Sequence, residues 1–545
     1  MGDGKIWDKF YPEGVPRTFA FERPFTEYVR EWARRNPQAV ALDYYGREMS
    51  YEELNDSIDR FAGALLEKGL RKGDRVALYL QNCPHFVIAF FGVIRAGGIV
   101  VCFNPMYKQI ELKSILANVG AHIVVTMPEL YPQISQLREA FDIGTVILAD
   151  PADFIPEEPV FPPPPEADQK LMDESDTIDF LSFLKASAPK PVCNTKADGA
   201  DVVLLQLTGG TTGEPKAAMV TMKAFTTAML SAQAWFGLTN TDVNLGLAPF
   251  FHTMGQQCVM CPALISGGKL VILGRFVADI VAKALEHYKC TMWVAAPTML
   301  NALVNLPDIE KTDFSSLRVI FTGGAPVTTK LQQEIKRLAP NSELGEGYGM
   351  TETLGPGGAA TPLGKWRSGF VGIPQINDMK IVDIETGLKE MPLNEVGEII
   401  VKGPTVMKGY WNDPEGTDKV FKDGWYYTGD IGLMDENGYI KLVDRKKEML
   451  ICSGYNVYPT DVENIMHQHP AIYEVAVIGV PDAYRGESPK AFVILKDEFK
   501  GKVTDTEIVD WCRENMANYK RPRTVEIREI LPKSAAGKIL KRALK

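Results

Sequence analysis

The chain has 545 residues, of which 45% are hydrophobic, and a formal net charge of −10. This size allows two or more domains with buried cores, and the negative charge argues against a general nucleic-acid-binding protein. No apolar run reaches the length of a membrane span, and no signal-peptide pattern follows Met1. We therefore expect a cytoplasmic protein whose scattered cysteines, including Cys258 and Cys261, are buried free thiols.

Strand-like and helical patterns alternate along the first part of the chain, for example a helix at 51–66 and a strand at 75–80. Residues 151–199 interrupt this alternation with prolines and dispersed acids, a pattern typical of a polar, partly extended connection. The alternation resumes with an apolar strand at 202–207 and gives way to short strands after residue 396. This order predicts an α/β fold with a large, multi-subdomain N-terminal domain.

A domain boundary is predicted directly after the strand at 439–443. The remaining residues have their own small α+β pattern of helix, two strands, helix and strand. We therefore predict an N-terminal domain over 1–443 and a small, mobile C-terminal domain over 444–545. Clefts between domains are preferred sites for ligands.

The segment Leu-Thr-Gly-Gly-Thr-Thr-Gly-Glu-Pro-Lys at 207–216 is the strongest signal in the chain. Its glycines let backbone N–H groups approach phosphate oxygens, its threonines add hydroxyl donors, and Lys216 adds a mobile positive charge. It is not a Walker A loop, because Pro215 precedes the lysine and Ala217 follows it. The ten-residue string favours a polyphosphate-binding loop over a surface turn.

The string Gly-Glu-Gly-Tyr-Gly-Met-Thr-Glu at 345–352 also suits a nucleotide. Tyr348 can lie against a purine, Thr351 can donate to a phosphate, and Glu352 can ligate Mg²⁺ through a hard oxygen. The small residues at 322–326 follow a predicted strand, where open α/β sheets bind ligands. Each string alone is more often a glycine-rich turn.

Three further features carry polar groups suited to a nucleotide. Asp430 can accept from both ribose hydroxyls, and Arg445 can bind ribose or phosphate oxygens. Lys538 follows a glycine that would let its ammonium project from the backbone. Nine basic residues lie between Lys520 and Lys545, which is compatible with a solvated tail or with a positive surface over an anionic ligand.

Taken together and in this order, these strings resemble the AMP-forming adenylating enzymes: acyl-CoA synthetases, firefly luciferase and peptide-synthetase adenylation domains. The resemblance is strongest to fatty-acyl-CoA synthetases and spans nearly the whole chain. It implies a two-step ligase reaction that uses ATP, Mg²⁺ and CoA. A carboxylate first displaces pyrophosphate from ATP to give an acyl-adenylate, and a thiol then displaces AMP.

The resemblance also implies a role for each matched residue. Thr351, Glu352, Lys538 and His252 are the implied catalytic or gating residues, and Glu352 is the implied metal ligand. Lys447 is the implied hinge. The implied nucleotide-binding residues are Thr208, Gly209, Gly210, Thr211, Thr212, Gly213, Lys216, Gly323, Gly324, Ala325, Tyr348, Asp430 and Arg445. The implied CoA path consists of Ser453, Gly454 and Tyr455.

The acid is expected to lack an amino group, because no acidic residue near His252 could pair with a substrate ammonium. We expect the acyl pocket to be lined by His252, Thr253, Gln256, Ala296 and Gly355. Gln256 stands where some long-chain relatives have an aromatic gate, so a medium- or long-chain fatty acid is favoured without a strict length.

Other functions remain open at this point. They are an aryl or alicyclic carboxylate–CoA ligase, an enzyme that loads a carrier protein, and a non-catalytic nucleotide-binding protein. The expected partners are the carboxylic acid, ATP and CoA, and not nucleic acid. A homodimer and a peripheral membrane contact stay open.

Overall fold

The computed structural model describes residues 4–165, 176–188, 198–208, 215–324, 327–452, 455–482, 485–533 and 539–544. The chain divides into two compact units. The first unit comprises Met1–Asp378 and Lys402–Phe421, and the second comprises Met379–Val401 and Lys422–Lys545. Helices and strands mix in both units, which confirms the predicted α/β class with a smaller C-terminal part.

The strands of the described residues are numbered in chain order. They are β1 Val40–Tyr44, β2 Arg47–Ser50, β3 Arg75–Tyr79, β4 Ile99–Cys102, β5 Ile123–Thr126, β6 Thr145–Leu148, β7 Ile178–Asp179, β8 Val202–Leu207, β9 Ala217–Thr221, β10 Val243–Gly246, β11 Lys269–Ile272, β12 Met292–Ala295, β13 Val319–Gly323, β14 Glu343–Tyr348, β15 Ala359–Ala360, β16 Ile373–Pro374, β17 Asp378–Val382, β18 Gly397–Lys402, β19 Phe421–Lys422, β20 Trp425–Met434, β21 Ile440–Arg445, β22 Leu450–Cys452, β23 Tyr455–Val457, β24 Ile472–Asp482, β25 Gly486–Leu495 and β26 Thr524–Ile527.

The α-helices are numbered in the same way. They are α1 Thr26–Arg35, α2 Tyr51–Glu67, α3 Pro84–Arg95, α4 Gln109–Val119, α5 Tyr131–Ser135, α6 Phe180–Lys185, α7 Met222–Phe236, α8 Thr253–Gly255, α9 Cys261–Ile265, α10 Ala278–His287, α11 Pro297–Val304, α12 Thr329–Leu338, α13 Pro414–Val420, α14 Pro459–Met466 and α15 Asp505–Asn515. A π-helical turn, Gln256–Met260, joins α8 to α9. Short 3-10 turns cover Thr351–Thr353 and Gly355–Gly357.

The first unit contains a nine-stranded sheet, in the order β16-β15-β14-β13-β12-β10-β11-β1-β2. Strands β10, β12, β13 and β14 are neighbours that pair in parallel. The carboxyl ends of parallel strands share one edge of a sheet, where open α/β folds bind ligands. The segments that follow these four strands therefore begin at the same edge.

A seven-stranded sheet, in the order β7-β6-β5-β3-β4-β8-β9, also lies in the first unit. Its interior is strongly apolar: every residue of α3 is buried, and the ring of Phe25 contacts those of Phe91 and Phe225 at centroid distances of 5.3 and 4.7 Å. Local sequence signals match the element ends. For example, Ser50 and Glu53 form a capping box at the start of α2.

The second unit contains two smaller sheets. One has the order β17-β18-β20-β19 with β21 on β20, and the other has the order β23-β22-β25-β24 with β26 on β25. The domain boundary predicted after residue 443 falls within this unit, near the end of β21 and ahead of β22. It stays a prediction, because a division into compact units does not test which segment moves.

The connection predicted over 151–199 contains a helix that the sequence pattern did not reveal. Strand β7 pairs with β6, and α6 follows it directly. Phe180 and Phe183 of α6 are buried, and both rings contact Phe61 at centroid distances of 5.3 and 5.2 Å. The expectation of a polar, extended segment is therefore wrong at these positions, because apolar side chains at helical spacing bury one face against α2.

Cys258 and Cys261 are buried and free, as expected. Within the described ranges, no helix has both the length and the apolar character needed to cross a membrane.

Candidate active site

The glycine- and threonine-rich segment connects two antiparallel strands, β8 and β9. Its base is closed by Thr208 and Lys216: the backbone N–H of Thr208 donates to the Lys216 carbonyl at 2.8 Å, and the Lys216 N–H donates to Thr208 Oγ1 at 3.2 Å. A Walker A loop leads into a helix, whereas this segment is followed by strand β9, which pairs antiparallel with β8. Five predicted phosphate-binding residues, Gly209, Gly210, Thr211, Thr212 and Gly213, lie outside the described residues.

Most of the other candidate residues of the first unit follow the carboxyl ends of the four neighbouring parallel strands. His252 follows β10, Ala296 follows β12, Gly324 follows β13, and Thr351 follows β14. The predicted residues Gly323 and Tyr348 are the last residues of β13 and β14. Sites that are separated in sequence thus begin at one sheet edge, while Ala325 lies outside the described residues.

Glycine is required at two close approaches beside β14. A Cβ on Gly323 would lie 2.9 Å from the carbonyl oxygen of Gly347, and a Cβ on Gly349 would clash with the backbone of Gly355. Leu354 and Gly355 both have positive φ, at 61° and 55°. Backbone strain at a buried leucine is typical of functional sites, where the surrounding structure holds an unfavourable conformation.

Lys216 and Glu352 are linked through Tyr410. The Tyr410 hydroxyl donates to Glu352 Oε1 at 2.9 Å, and the Lys216 ammonium lies 4.5 Å from the centre of the Tyr410 ring. The segment around Tyr410 is held by backbone bonds to β9, and Met407 N–H donates to the Glu352 carbonyl at 2.8 Å. The predicted phosphate lysine and the predicted metal ligand therefore lie within reach of one aromatic side chain.

Lys216 also forms an ion pair with Asp413. Its Nζ lies 2.7 Å from Asp413 Oδ2, and both side chains are partly exposed. The ammonium of Lys216 lowers the pKa of Asp413. The same carboxylate caps α13 by accepting from the Gly416 N–H at 2.8 Å.

Glu346 is a buried carboxyl on β14, on the strand that carries Tyr348. It accepts from Trp366 Nε1 at 3.3 Å and from the backbone N–H of Val327. Burial raises the pKa of Glu346 to about 7, because a desolvated carboxylate is disfavoured more than these two donors stabilise it.

His252 lies in the segment that follows β10. Its Nδ1 accepts from the backbone N–H of Met254 at 3.4 Å, which leaves Nε2 as the protonated nitrogen. Burial lowers the pKa of His252, so the imidazole is neutral at pH 7. The preceding residue is anchored by Gln206 of β8, whose Nε2 donates to the Phe251 carbonyl at 2.9 Å.

The predicted acyl-pocket residues are largely brought together. Thr253 and Gln256 are buried, and the π-helical turn that contains Gln256 packs against the turn Gly355–Gly357. Ala296 is buried at the start of α11. The buried Gln256 donates from Nε2 to Cys102 Sγ at 3.2 Å.

Four predicted site residues belong to the second unit and are described within it. Asp430 and Arg445 are register partners on β20 and β21, and Arg445 Nε lies 3.0 Å from Asp430 Oδ1. Lys447 lies between β21 and β22, and Tyr455 begins β23. The three remaining predictions here, Ser453, Gly454 and Lys538, lie outside the described residues.

Several members of the basic run at the C-terminus form ion pairs within the second unit. Four of its members form ion pairs with acidic side chains at 2.6–2.8 Å. These pairs are Lys520–Asp461, Arg528–Glu526, Lys533–Glu474 and Lys541–Glu463. These acidic residues compensate the charge of the four basic side chains, and a positive surface over an anionic ligand stays a prediction.

Comparison with known proteins identifies the family. Residues 29–411 match the family described as AMP-binding enzyme, and residues 461–538 match the AMP-binding enzyme C-terminal domain. The chain belongs to the AMP-binding enzyme family. This confirms the resemblance drawn from the ordered strings.

Individual AMP-binding enzymes are similar over nearly their whole length. A long-chain-fatty-acid–CoA ligase from Bacillus subtilis is 36% identical over 554 residues, covering 100% of this chain and 98% of the relative. The ATP-bound structure of MatB from Rhodopseudomonas palustris has a TM-score of 0.85 and 27% identity, covering 96% of this chain and 98% of that one. The structure of the anthranilate CoA ligase AuaEII in complex with anthranoyl-AMP has a TM-score of 0.82 and 28% identity. The match covers 96% of this chain and 97% of that one.

The sequence reasoning missed three polar residues of this AMP-binding enzyme. Tyr410 and Asp413 contact Lys216, and Gln206 fixes the segment before His252. A signal for the first two was present, because Gly-Tyr-Trp-Asn-Asp at 409–413 combines aromatic and turn-forming residues. Gln206 gave no signal, since it is one polar residue within an apolar strand.

Proposed function

We propose that the chain is an ATP-dependent, AMP-forming acyl-CoA synthetase that activates a medium- or long-chain fatty acid and transfers the acyl group to CoA. The contact chain from Lys216 through Tyr410 to Glu352 carries this proposal. A cation at the end of the glycine- and threonine-rich segment and a carboxylate thus contact the same tyrosine. This is the combination needed to bind the phosphates of ATP together with their metal ion.

The substrate class is supported by the neutral environment of His252. No described acidic group contributes to the pKa of this imidazole, and burial alone lowers it. A substrate ammonium would lack a counter-charge there, which favours an acid without an amino group. The full-length similarity to ligases named for long-chain fatty acids supports a fatty acid.

We assign a part of the nucleotide to each predicted binding residue. Thr208, Lys216 and the loop between them would bind the β- and γ-phosphates, and Thr351 would donate to the α-phosphate. Gly323, Gly324 and Tyr348 would receive the adenine. Asp430 and Arg445 would bind the ribose.

Glu352 is the proposed Mg²⁺ ligand. Mg²⁺ is usually held by one or two carboxylates together with substrate phosphates, and Glu352 supplies one such carboxylate, bonded to the tyrosine that Lys216 also contacts. When bound, this ion would neutralise charge on the phosphate oxygens. Tyr410 would keep the carboxylate in place through its hydroxyl.

The chemistry consists of two displacements. A carboxylate oxygen of the acid attacks the α-phosphorus, and the bond to the β-phosphate oxygen breaks to release pyrophosphate. The CoA sulfur then attacks the acyl carbon, the bond to the AMP oxygen breaks, and the thiol proton passes to solvent. Because the carboxylate is already ionised at pH 7, the first step needs positioning and charge stabilisation rather than a general base.

The second unit is proposed to serve both steps. Lys538 would stabilise the α-phosphate during adenylation, Lys447 would be the hinge, and Ser453, Gly454 and Tyr455 would line the CoA path. CoA is the proposed acceptor and the cytoplasm the proposed location. A homodimer and contact with a membrane surface are not part of the proposal.

Exchange of labelled pyrophosphate into ATP tests the proposal. We expect exchange that requires both Mg²⁺ and a fatty acid but not CoA, and AMP release that begins when CoA is added. Exchange without AMP release on CoA addition would indicate a carrier-protein acceptor. Absence of exchange with every fatty, aryl and alicyclic acid of a panel would refute the proposed function.

A further inference from the structure

The predicted acyl-pocket residue Gln256 is followed directly by a second glutamine, Gln257. Gln256 and Gln257 begin the π-helical turn and are both completely buried. Among the described residues, neither amide atom of Gln257 has a hydrogen-bond partner, and Gln256 Oε1 also has none. Single turns of π-helix are rare and occur frequently at functional sites.

The amide of Gln257 faces a residue of the predicted acyl pocket. Its Oε1 lies 3.1 Å from the position that a Cβ of Gly355 would occupy. Gly355 has a positive φ of 55° and follows the strained Leu354. The strained residue Leu354 thus precedes the glycine that faces the Gln257 amide.

A purely hydrocarbon substrate would leave these groups unsatisfied. A buried amide without partners lowers the stability of the protein. Each unpaired donor or acceptor atom costs about as much as one lost hydrogen bond. Most buried polar groups in folded proteins therefore find partners. A ligand hydroxyl is the smallest group that satisfies both ends of one amide, because it donates to Oε1 and accepts from Nε2.

We propose that the acyl pocket selects carboxylic acids whose acyl group carries a hydroxyl, and that Gln257, assisted by Gln256, is the residue that recognises it. This inference rests on the proposed function and narrows its substrate class. The carboxylate still reacts at the α-phosphate, and the hydroxyl takes no part in the chemistry. Binding sites that hydrogen-bond a substrate hydroxyl discriminate strongly against the analogue that lacks it.

The test compares matched acids in the AMP-release assay. Decanoic acid is paired with its positional hydroxydecanoic acids, and 3-phenylpropanoic acid with 3-(4-hydroxyphenyl)propanoic acid. For at least one pair, we expect kcat/KM to be about 10- to 100-fold higher for the hydroxylated acid, the range for one buried hydrogen-bonded group. Gln257→Met keeps the length of the side chain and removes both polar atoms, so this ratio should fall to about 1.

Two controls separate recognition from a structural effect. Gln257→Met should retain a melting temperature at or above that of the unchanged protein, since an unsatisfied amide is removed. Ser488→Ala removes another buried, unpartnered polar group, in the second unit, and should leave the substrate ratio unchanged.

The outcomes distinguish this inference from the proposed function. AMP release with no preference for any hydroxylated acid would overturn the inference and leave the ligase activity standing. A preference that persists in Gln257→Met would also overturn it. No AMP release with any acid would instead refute the proposed function.

Discussion

The nucleotide side and the acyl side of the candidate site satisfy their polar groups in opposite ways. Tyr410 contacts both Lys216 and Glu352, and Lys216 is also paired with Asp413. Gln257 is buried and has no partner among the described residues. At the proposed site, ATP would therefore replace contacts that already exist, whereas an acyl hydroxyl would form contacts that no described residue makes.

This difference leads to different expectations for substitutions on each side. Replacing a residue of the nucleotide side changes the free energy of the free protein and of its complex with ATP. Part of the change therefore cancels in the free energy of ATP binding. Replacing Gln257 changes mainly the complex with the acid. The loss of activity caused by substitutions on the nucleotide side should consequently range from severe to mild. It should be severe where the residue binds a phosphate or its metal ion, and mild where the residue only competes with the phosphate for Lys216.

The largest effect is expected for Glu352→Gln. The amide oxygen can still accept from Tyr410, but the negative charge proposed to bind Mg²⁺ is lost. We expect pyrophosphate exchange to fall by about 10²- to 10³-fold, the scale of losing one preorganised electrostatic contact. Glu343→Gln, at the exposed start of β14, which precedes the turn that carries Glu352, is the control and should retain exchange. Retention of exchange in Glu352→Gln at every Mg²⁺ concentration would contradict the assignment.

An intermediate effect is expected for Tyr410→Phe. The ring beside Lys216 remains, while the hydroxyl that orients Glu352 is removed. One such hydrogen bond corresponds to a decrease of about 3- to 10-fold in kcat for exchange. Tyr427→Phe removes a hydroxyl bonded to the Gly387 carbonyl and is the matched control. Equal decreases in the two variants would show that Tyr410 has no special role.

The smallest effect on activity is expected for Asp413→Asn. Lys216 loses its charged partner and becomes available to ATP, while asparagine can still cap α13. We expect KM for ATP to fall by about 2- to 5-fold at low salt, as for a partly exposed pair. Asp279→Asn disrupts a similar pair with Lys283 and should not change KM. An increase of KM in Asp413→Asn would mean that the pair supports ATP binding.

A pH experiment examines the carboxyl of Glu346, whose pKa burial raises to about 7. The carboxyl of Glu346 binds a proton more tightly in the folded protein than in the unfolded chain, where its pKa is about 4.3. The folded protein therefore loses stability as pH rises from about 4.3 to 7 and this carboxyl is forced to ionise in a buried position. The melting temperature of Glu346→Gln relative to the unchanged protein should therefore rise over this interval and level off above it. A difference independent of pH would contradict the raised pKa.

Much of the fold could be predicted because periodicity and turn residues reflect local physics. The strand Val202–Leu207 and the helix Tyr51–Glu67 agree with the patterns that predicted them. The helix Phe180–Lys185 was missed because it is short and surrounded by prolines and acids, and its burial depends on Phe61 of α2. Such a contact between distant segments leaves no local periodic signal.

The candidate site was only partly predictable for the same reason. Glycine-rich strings predict Lys216 and Glu352 as site residues, since few residue types can bind a phosphate or its metal ion. Tyr410 acts through contacts with both, which only the folded chain reveals. Gln257 was missed because one glutamine in an apolar helical segment gives no indication that its amide lacks partners.

The most direct test of this account is a crystal structure with a nonhydrolysable hydroxyacyl-adenylate analogue. We predict that its phosphate mimic lies beside Thr351, its adenine against Tyr348, and its acyl hydroxyl within hydrogen-bond distance of the Gln257 amide. A complex in which the analogue lies away from the carboxyl ends of β13 and β14 would contradict the account.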